Sequence, residues 1–242
     1  MEKLQQRFQE AVQSFWDARA RQQQKQVEGG RIDAGTRGAV TGGSQMGALE
    51  VLIVDLLEEG GLDRLDVKIG AGLELPGYYR PEKKWDLLVV SQGQLVTALE
   101  FKSHVGPSFG NNFNNRVEEA LGNATDIWTV FREQRLGPVR PLIGYFLLLE
   151  DTDRVHQPVR VAEPYYPIDP IFRSASYARR YEVFCQRLVF ERHYDCVCLT
   201  LATQATPTIV THPSVDLGFG QFVATLQGHA QSQLVKRTAK ED

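Results

Sequence analysis

The sequence predicts an α/β fold: one domain with a central mixed β-sheet flanked by helices. Three features predict it. Apolar runs of strand length, "WDLLVV", "LVTALEF", "PLIGYFLLLE" and "YDCVCLTLAT", are separated by stretches of helical periodicity. Each helical stretch gathers its large apolar side chains into one stripe. No internal repeat and no clear linker divides residues 1–242.

The elements follow in order. Residues 3–25 read as a helix, with Leu4, Phe8, Ala11, Val12, Phe15 and Trp16 recurring at spacings of three and four. A glycine-rich loop over about 28–44 comes next; six glycines fall between residues 29 and 43, with Arg31 and Arg37 among them. Residues 45–59 resume helical character and stop at Gly60-Gly61. "DVKIGAGLEL" alternates like a strand and ends at "PGYYRPEKK". "WDLLVV" and "LVTALEF" form a hairpin around "SQGQ". Helices are expected over 113–133 and 175–191, between the later strands. A last helix over about 219–235 runs into a polar tail, "KRTAKED", expected to fray.

Composition narrows the function. At 42% hydrophobic and 24% charged residues the chain has a globular profile. No apolar run has the length of a membrane span, and the polar N-terminal stretch lacks a signal-peptide core. No membrane partner is expected. Three cysteines, Cys185, Cys196 and Cys198, cannot all pair and point to a reducing, cytoplasmic setting. The net charge is −3, so any nucleic-acid site must be a local basic surface on an acidic protein.

One stretch, residues 85–106, raises a chemical question. Asp86 heads one apolar run, and Glu100 and Lys102 lie near the end of the next, where burying charge is costly. A three-residue turn, Gln92-Gly93-Gln94, would place Ser91 opposite Leu95 and Asp86 opposite Glu100, with Lys102 on the same face. Two carboxylates about 5 Å apart beside an ammonium make a site for a divalent cation. A two-residue turn would separate the two acids unless a bulge intervened. The bland alternative is an exposed Glu100–Lys102 pair on an ordinary strand. Two features weigh against it. The charges interrupt an apolar run, and "SHVGPSFGNNFNNRVEEA" follows them with four asparagines and an arginine at the mouth of a helix. One cap needs one residue, whereas Asn and Arg side chains read base edges and phosphates.

The Asp…Glu-x-Lys arrangement resembles the catalytic core of the PD-(D/E)xK nucleases. The longer string "LPGYYRPEKKWDLLVV…LVTALEFKSHVGPSFGNNFNNRVEEALG" is similar to the XhoI-type type II restriction endonucleases. The likeness is densest over residues 75–123. In one departure from the pattern, Trp85 rather than proline precedes Asp86. The resemblance implies a single restriction-endonuclease-like domain and a Mg²⁺-dependent homodimer that cuts double-stranded DNA at CTCGAG, leaving 5′ extensions. It further implies that Asp86, Glu100 and the Phe101 backbone carbonyl ligate metal while Lys102 assists the water. Two-fold symmetry in protein and palindrome agrees with a dimer. A cognate DNA methyltransferase is expected as a functional partner, because an unprotected genome would be cut.

Other residues are candidates beside their ordinary roles. Glu50, with Asp55 behind it, is the helix acid that some nucleases of this superfamily add to the metal site; most helix acids are simply solvated. Ser103, His104, Asn111, Asn112, Asn114, Asn115 and Arg116 are DNA-contact candidates; loop and cap hydrogen bonding is the alternative. Arg31 and Arg37 are candidates to order on DNA. Arg179, Arg180 and Arg187 face either DNA or solvent. His193, Asp195, Cys196 and Cys198 lie close in sequence, but the two cysteines on one strand face read as core thiols rather than metal ligands. Two further functions fit the same core: a structure-specific nuclease of resolvase or repair type, and a DNA-binding protein without catalysis. The asparagines disfavour the first and the full charged triad the second.

Overall fold

The structure, a computed structural model, describes residues 2–28 and 45–241, without the side chains of 26–28 and 234–241. Arg31, Arg37 and nearly all of the expected glycine-rich loop lie outside the described residues.

Helix α1 spans Glu2–Glu28 and α2 spans Gly47–Glu59. Strands β1 (Val67–Ile69), β2 (Glu74–Pro76), β3 (Glu82–Lys84), β4 (Leu87–Ser91) and β5 (Gln94–His104) follow. Then come α3 (Phe109–Arg132), β6 (Leu142–Glu150), a short α4 (Asp153–His156), α5 (Tyr177–Phe190), β7 (Cys196–Ala202), β8 (Val210–Thr211) and α6 (Phe219–Glu241). Six strands form one sheet in the order β1-β4-β5-β6-β7-β8, and β2 pairs with β3 apart from it. The β5–β6 and β6–β7 pairs are parallel and the others antiparallel, which is the mixed sheet expected.

Both faces of the sheet are covered. Leu87, Val89, Leu99, Phe101, Phe146, Leu148 and Cys198 pack with Phe8, Phe15, Leu49, Ile53 and Phe222 from α1, α2 and α6. Leu88, Ala98, Ile143, Tyr145, Leu147 and Leu199 pack on the other side with Ala120, Ala124, Ile127, Tyr181 and Phe184 from α3 and α5. A central strand covered on both faces has no polar alternation. Accordingly, every residue of β7 and all but the last of β6 are buried.

Two expectations are corrected. The run 66–75 is two short strands, because Gly70 and Gly72 take φ of +80° and +68° and break it. The helix expected from 113 begins at Phe109, whose buried ring packs against His104 and Tyr177 and fixes the first turn. The last helix runs from Phe219 to Glu241, and so includes most of the polar tail.

Candidate active site

The hairpin between β4 and β5 positions the charges by a different route from the one expected. Its turn has two residues, Gln92 and Gly93, both left-handed with φ of 50° and 74°. Ser91 therefore pairs with Gln94 and Val90 with Leu95. This is the turn type that favours glycine and matches strand twist. A continuous ladder from that turn would carry Glu100 to the face opposite Asp86. A bulge at Val96, which has no partner in β4, moves the register by one residue, so Val89 pairs with Thr97 and Leu87 with Leu99. Beyond the turn the ladder thus runs in the expected register.

Asp86 sits one step outside that ladder. Its N–H donates to the Leu99 carbonyl at 3.2 Å, and its Oδ2 accepts the Phe101 N–H at 2.7 Å. In an extended strand the N–H and C=O of one residue point to the same side. The Phe101 carbonyl therefore opens on the side from which Asp86 approaches, past the end of β4.

Glu100 is only 2% exposed and two lysines hold it. Lys102 contacts Oε1, and Lys83 donates to Oε2 at 2.6 Å. Lys83 was not legible as a site residue. It comes from β3, lies 4.7 Å from the centre of the Trp85 ring and also reaches the Lys84 carbonyl. Its one signal is the spacing of two to buried Trp85, which puts the two on one face in extended chain and leaves Lys84 outward. The β2–β3 hairpin that carries it is clamped to α3. Buried Asp126 accepts from Tyr78 N, Tyr79 N and Arg80 Nε at 2.8, 2.9 and 2.7 Å, and Asn123 accepts from Arg80.

Electrostatics draw a third acid into the cluster. Burial, then the charge of Asp86, pushes the Glu50 carboxyl up to about 7. Burial also raises Asp86, as does Glu100, while the Phe101 N–H, Lys102 and Lys83 oppose the rise. Asp55 is not part of the cluster; it pairs with Arg64 and Arg7. Among the described residues no group of three or more His, Cys, Asp or Glu side chains is set to hold a metal ion. The donor chemistry nevertheless fits a hard divalent cation: carboxylates of Asp86 and Glu100, the Phe101 carbonyl, and Glu50, whose carboxyl burial and then the charge of Asp86 push up.

The remaining candidates fall into distinct places. Asn111, Asn114 and Asn115 are exposed and, at i, i+3 and i+4, share one face of the first turns of α3; they lie on the helix, not in a loop before it. Asn112 and Ser103 are half-buried. Arg116 pairs with Glu119, and its buried Nε has no partner among the described residues. His104 is 2% exposed, with Nδ1 on the Tyr181 hydroxyl and Nε2 3.3 Å from the Ser108 carbonyl. Burial brings its pKa down to about 4, so it is neutral at physiological pH. That interior placement gives it a hydrogen-bonding role in the fold. Arg179 pairs with Glu182, Arg180 holds the Ala175 and Val159 carbonyls, and Arg187 pairs with Asp169. Cys196 and Cys198 are buried, and burial pushes Cys198 up to about 12. Asp195 is engaged by Arg140 and the Ile143 N–H.

The restriction endonuclease XhoI family matches residues 25–212. A type II restriction enzyme, BstVI of Geobacillus stearothermophilus, is 45% identical over 209 residues, 83% of this chain and 93% of that protein. The type II restriction enzyme XhoI of Xanthomonas vasicola is 44% identical over 183 residues, 74% of this chain and 73% of that protein. AbrI of Azospirillum brasilense, another, is 45% identical over 159 residues, 65% and 71% of the two chains. No solved structure matches significantly. A match across most of the chain, at this level of identity, means that the protein belongs to the XhoI family of restriction endonucleases and is a type II restriction enzyme, a site-specific deoxyribonuclease.

Proposed function

We propose that this enzyme, as a homodimer, hydrolyses both strands of duplex DNA at CTCGAG after the first cytosine, using Mg²⁺. The observation that carries the reading is the convergence of Asp86, Glu100 and Lys102 where β4 ends and β5 continues beside β6. The β4–β5 register and the twice-held carboxylate support it, as does the exposed Asn111, Asn114 and Asn115 face nearby in sequence.

Asp86, Glu100, the Phe101 carbonyl and Glu50 hold the cation. Bound there, Mg²⁺ supplies charge stabilisation at the phosphate and makes a water more acidic. Lys102 orients the attacking water with its Nζ and offers positive charge to the phosphoryl oxygens. The water oxygen bonds to phosphorus as the bond to the 3′ oxygen breaks. That oxygen leaves with a proton, and the product carries a 5′-phosphate. Asn111, Asn112, Asn114, Asn115, Arg116 and Ser103 contact DNA, with Arg31 and Arg37 adding charge. Buried His104 supports the start of α3 beneath them. The whole chain acts as one endonuclease domain in the bacterial cytoplasm, and a methyltransferase protects the host's own sites.

A mapped plasmid with CTCGAG sites, incubated with Mg²⁺ or EDTA and sequenced at its ends, tests this. Mg²⁺-dependent cuts confined to CTCGAG are expected. Cuts at another fixed sequence would move the specificity elsewhere, and binding without cutting in any divalent metal would refute catalysis.

A further inference from the structure

A second feature lies just past the catalytic strand. A cleft of about 410 Å³ opens between α1, the 105–108 loop and the segment leading into α4. Arg19 of α1 lines it and is only 6% exposed, yet its Nε has no hydrogen-bond partner among the described residues. Its Nη1 has one long contact, 3.4 Å to Gln45. The Thr152 hydroxyl, in the same lining, is also buried without a partner among the described residues. A buried donor left unmade costs about 1–3 kcal/mol, so two in one cleft call for an acceptor that the described residues do not supply.

The cleft has further donors. Arg154 adds an exposed guanidinium. Pro107 and Phe109 line it at the start of α3, a 24-residue helix whose N-cap, Ser108, makes no side-chain capping bond. The free N–H groups and positive end of that helix therefore lie here. One acid, Glu150, is present; its Oε2 is taken up by the Gly106 N–H at 2.8 Å. Burial pulls the Arg19 guanidinium below its ordinary value, and Glu150 opposes that only in part. Two guanidiniums against one carboxylate, with an uncapped helix end, suit an anion with several acceptor oxygens.

We propose that this cleft seats a backbone phosphate of the substrate DNA, held by Arg19, Thr152, Arg154 and the first turn of α3. The inference rests on the nuclease reading above. Gly106 lies four residues beyond Lys102, about 13 Å along extended chain. At about 3.4 Å of rise per base step, that backbone span corresponds to about four steps, to which the reach of the side chains at each end is added. Such a contact carries no sequence information; it fixes the register in which the asparagine face meets the bases.

The test uses the full chain and duplexes containing CTCGAG, with binding measured in Ca²⁺ across a salt series. Arg154→Ala changes an exposed residue, and Arg19→Met combined with it removes both guanidiniums. The double variant is expected to lower the slope of log K against log salt by about 0.9, the value for one lost phosphate contact. It should weaken cognate and unrelated duplexes equally. A neutral methylphosphonate walked along the strand should weaken the parent at one position and leave the double variant indifferent there. Arg154→Ala alone should show the same effects in smaller measure, which separates them from misfolding at Arg19. A parent that binds and cuts, alongside variants with unchanged slope and unchanged phosphate dependence, overturns the inference alone. A parent that neither binds nor cuts duplex DNA overturns the nuclease reading and this inference with it.

Discussion

Replacing Lys83 with methionine removes one of two ammoniums from a buried carboxylate, and its effect can be worked from distances. Lys83 Nζ lies 2.6 Å from Glu100 Oε2. A magnesium ion bound to that oxygen would sit about 2.1 Å beyond it, so no more than about 4.7 Å from the ammonium. Even with full aqueous screening, a divalent and a monovalent charge at that separation repel by about 1.8 kcal/mol. The Lys83 side chain is 11% exposed, which makes aqueous screening a lower bound. Since about 1.4 kcal/mol is tenfold, Lys83→Met should bind divalent ions at least about tenfold more tightly. The assay is calorimetric titration with Mn²⁺ or Mg²⁺ in the absence of DNA, with circular dichroism to confirm folding. Affinity that is unchanged or weaker in Lys83→Met would refute the reasoning, because it would mean that no cation is held on Glu100 beside that lysine.

Three further predictions follow from the same geometry. The Glu50 carboxyl holds its proton more readily in the folded protein than at its ordinary value of 4.5, so its contribution to stability is present below about 4.5 and lost as pH rises through about 7. Glu50→Gln should therefore melt higher than the parent at pH 8 without metal, and the gap should close by about pH 5. Asp126→Ala strips the hairpin of three hydrogen bonds at a side chain 6% exposed and should cost about 2–4 kcal/mol in denaturant unfolding. Equal stability would show that the clamp is dispensable. Deleting Val96 removes the extra residue but leaves Val90 opposite Leu95, Val89 opposite Thr97 and Asp86 beside Glu100, so cleavage should survive; a folded deletion variant that no longer cuts would contradict the register argument.

The sheet and its helices were largely legible because burial on one or both faces leaves a strong periodic trace. Phe8, Val12, Phe15 and Trp16 read as one stripe and form one buried face of α1. The register of Asp86 and Glu100 was legible as a requirement but not as a mechanism. A bulge depends on local backbone twist, and nothing in "LVTALEF" marks Val96 as the extra residue. Lys83 escaped notice because its partner is seventeen residues away and its strand is three residues long, too short for a period to show. The early start of α3 was hidden for a tertiary reason: Phe109 looks like a loop residue until His104 and Tyr177 are packed around it. His104 read equally as a surface or an interior residue, since one side chain between a strand and a loop has no periodicity to betray its burial.

In the proposed function, Asp86, Glu100 and Lys102 form one metal-dependent hydrolytic centre. Asp86→Asn keeps the shape of the side chain and an oxygen to accept the Phe101 N–H, but removes the charge. Single-turnover cleavage of a CTCGAG duplex in Mg²⁺, measured beside duplex binding in Ca²⁺, is the most direct test. Binding should survive while cleavage falls to background. An Asp86→Asn enzyme that binds and cuts like the parent would place the catalytic centre elsewhere in the protein.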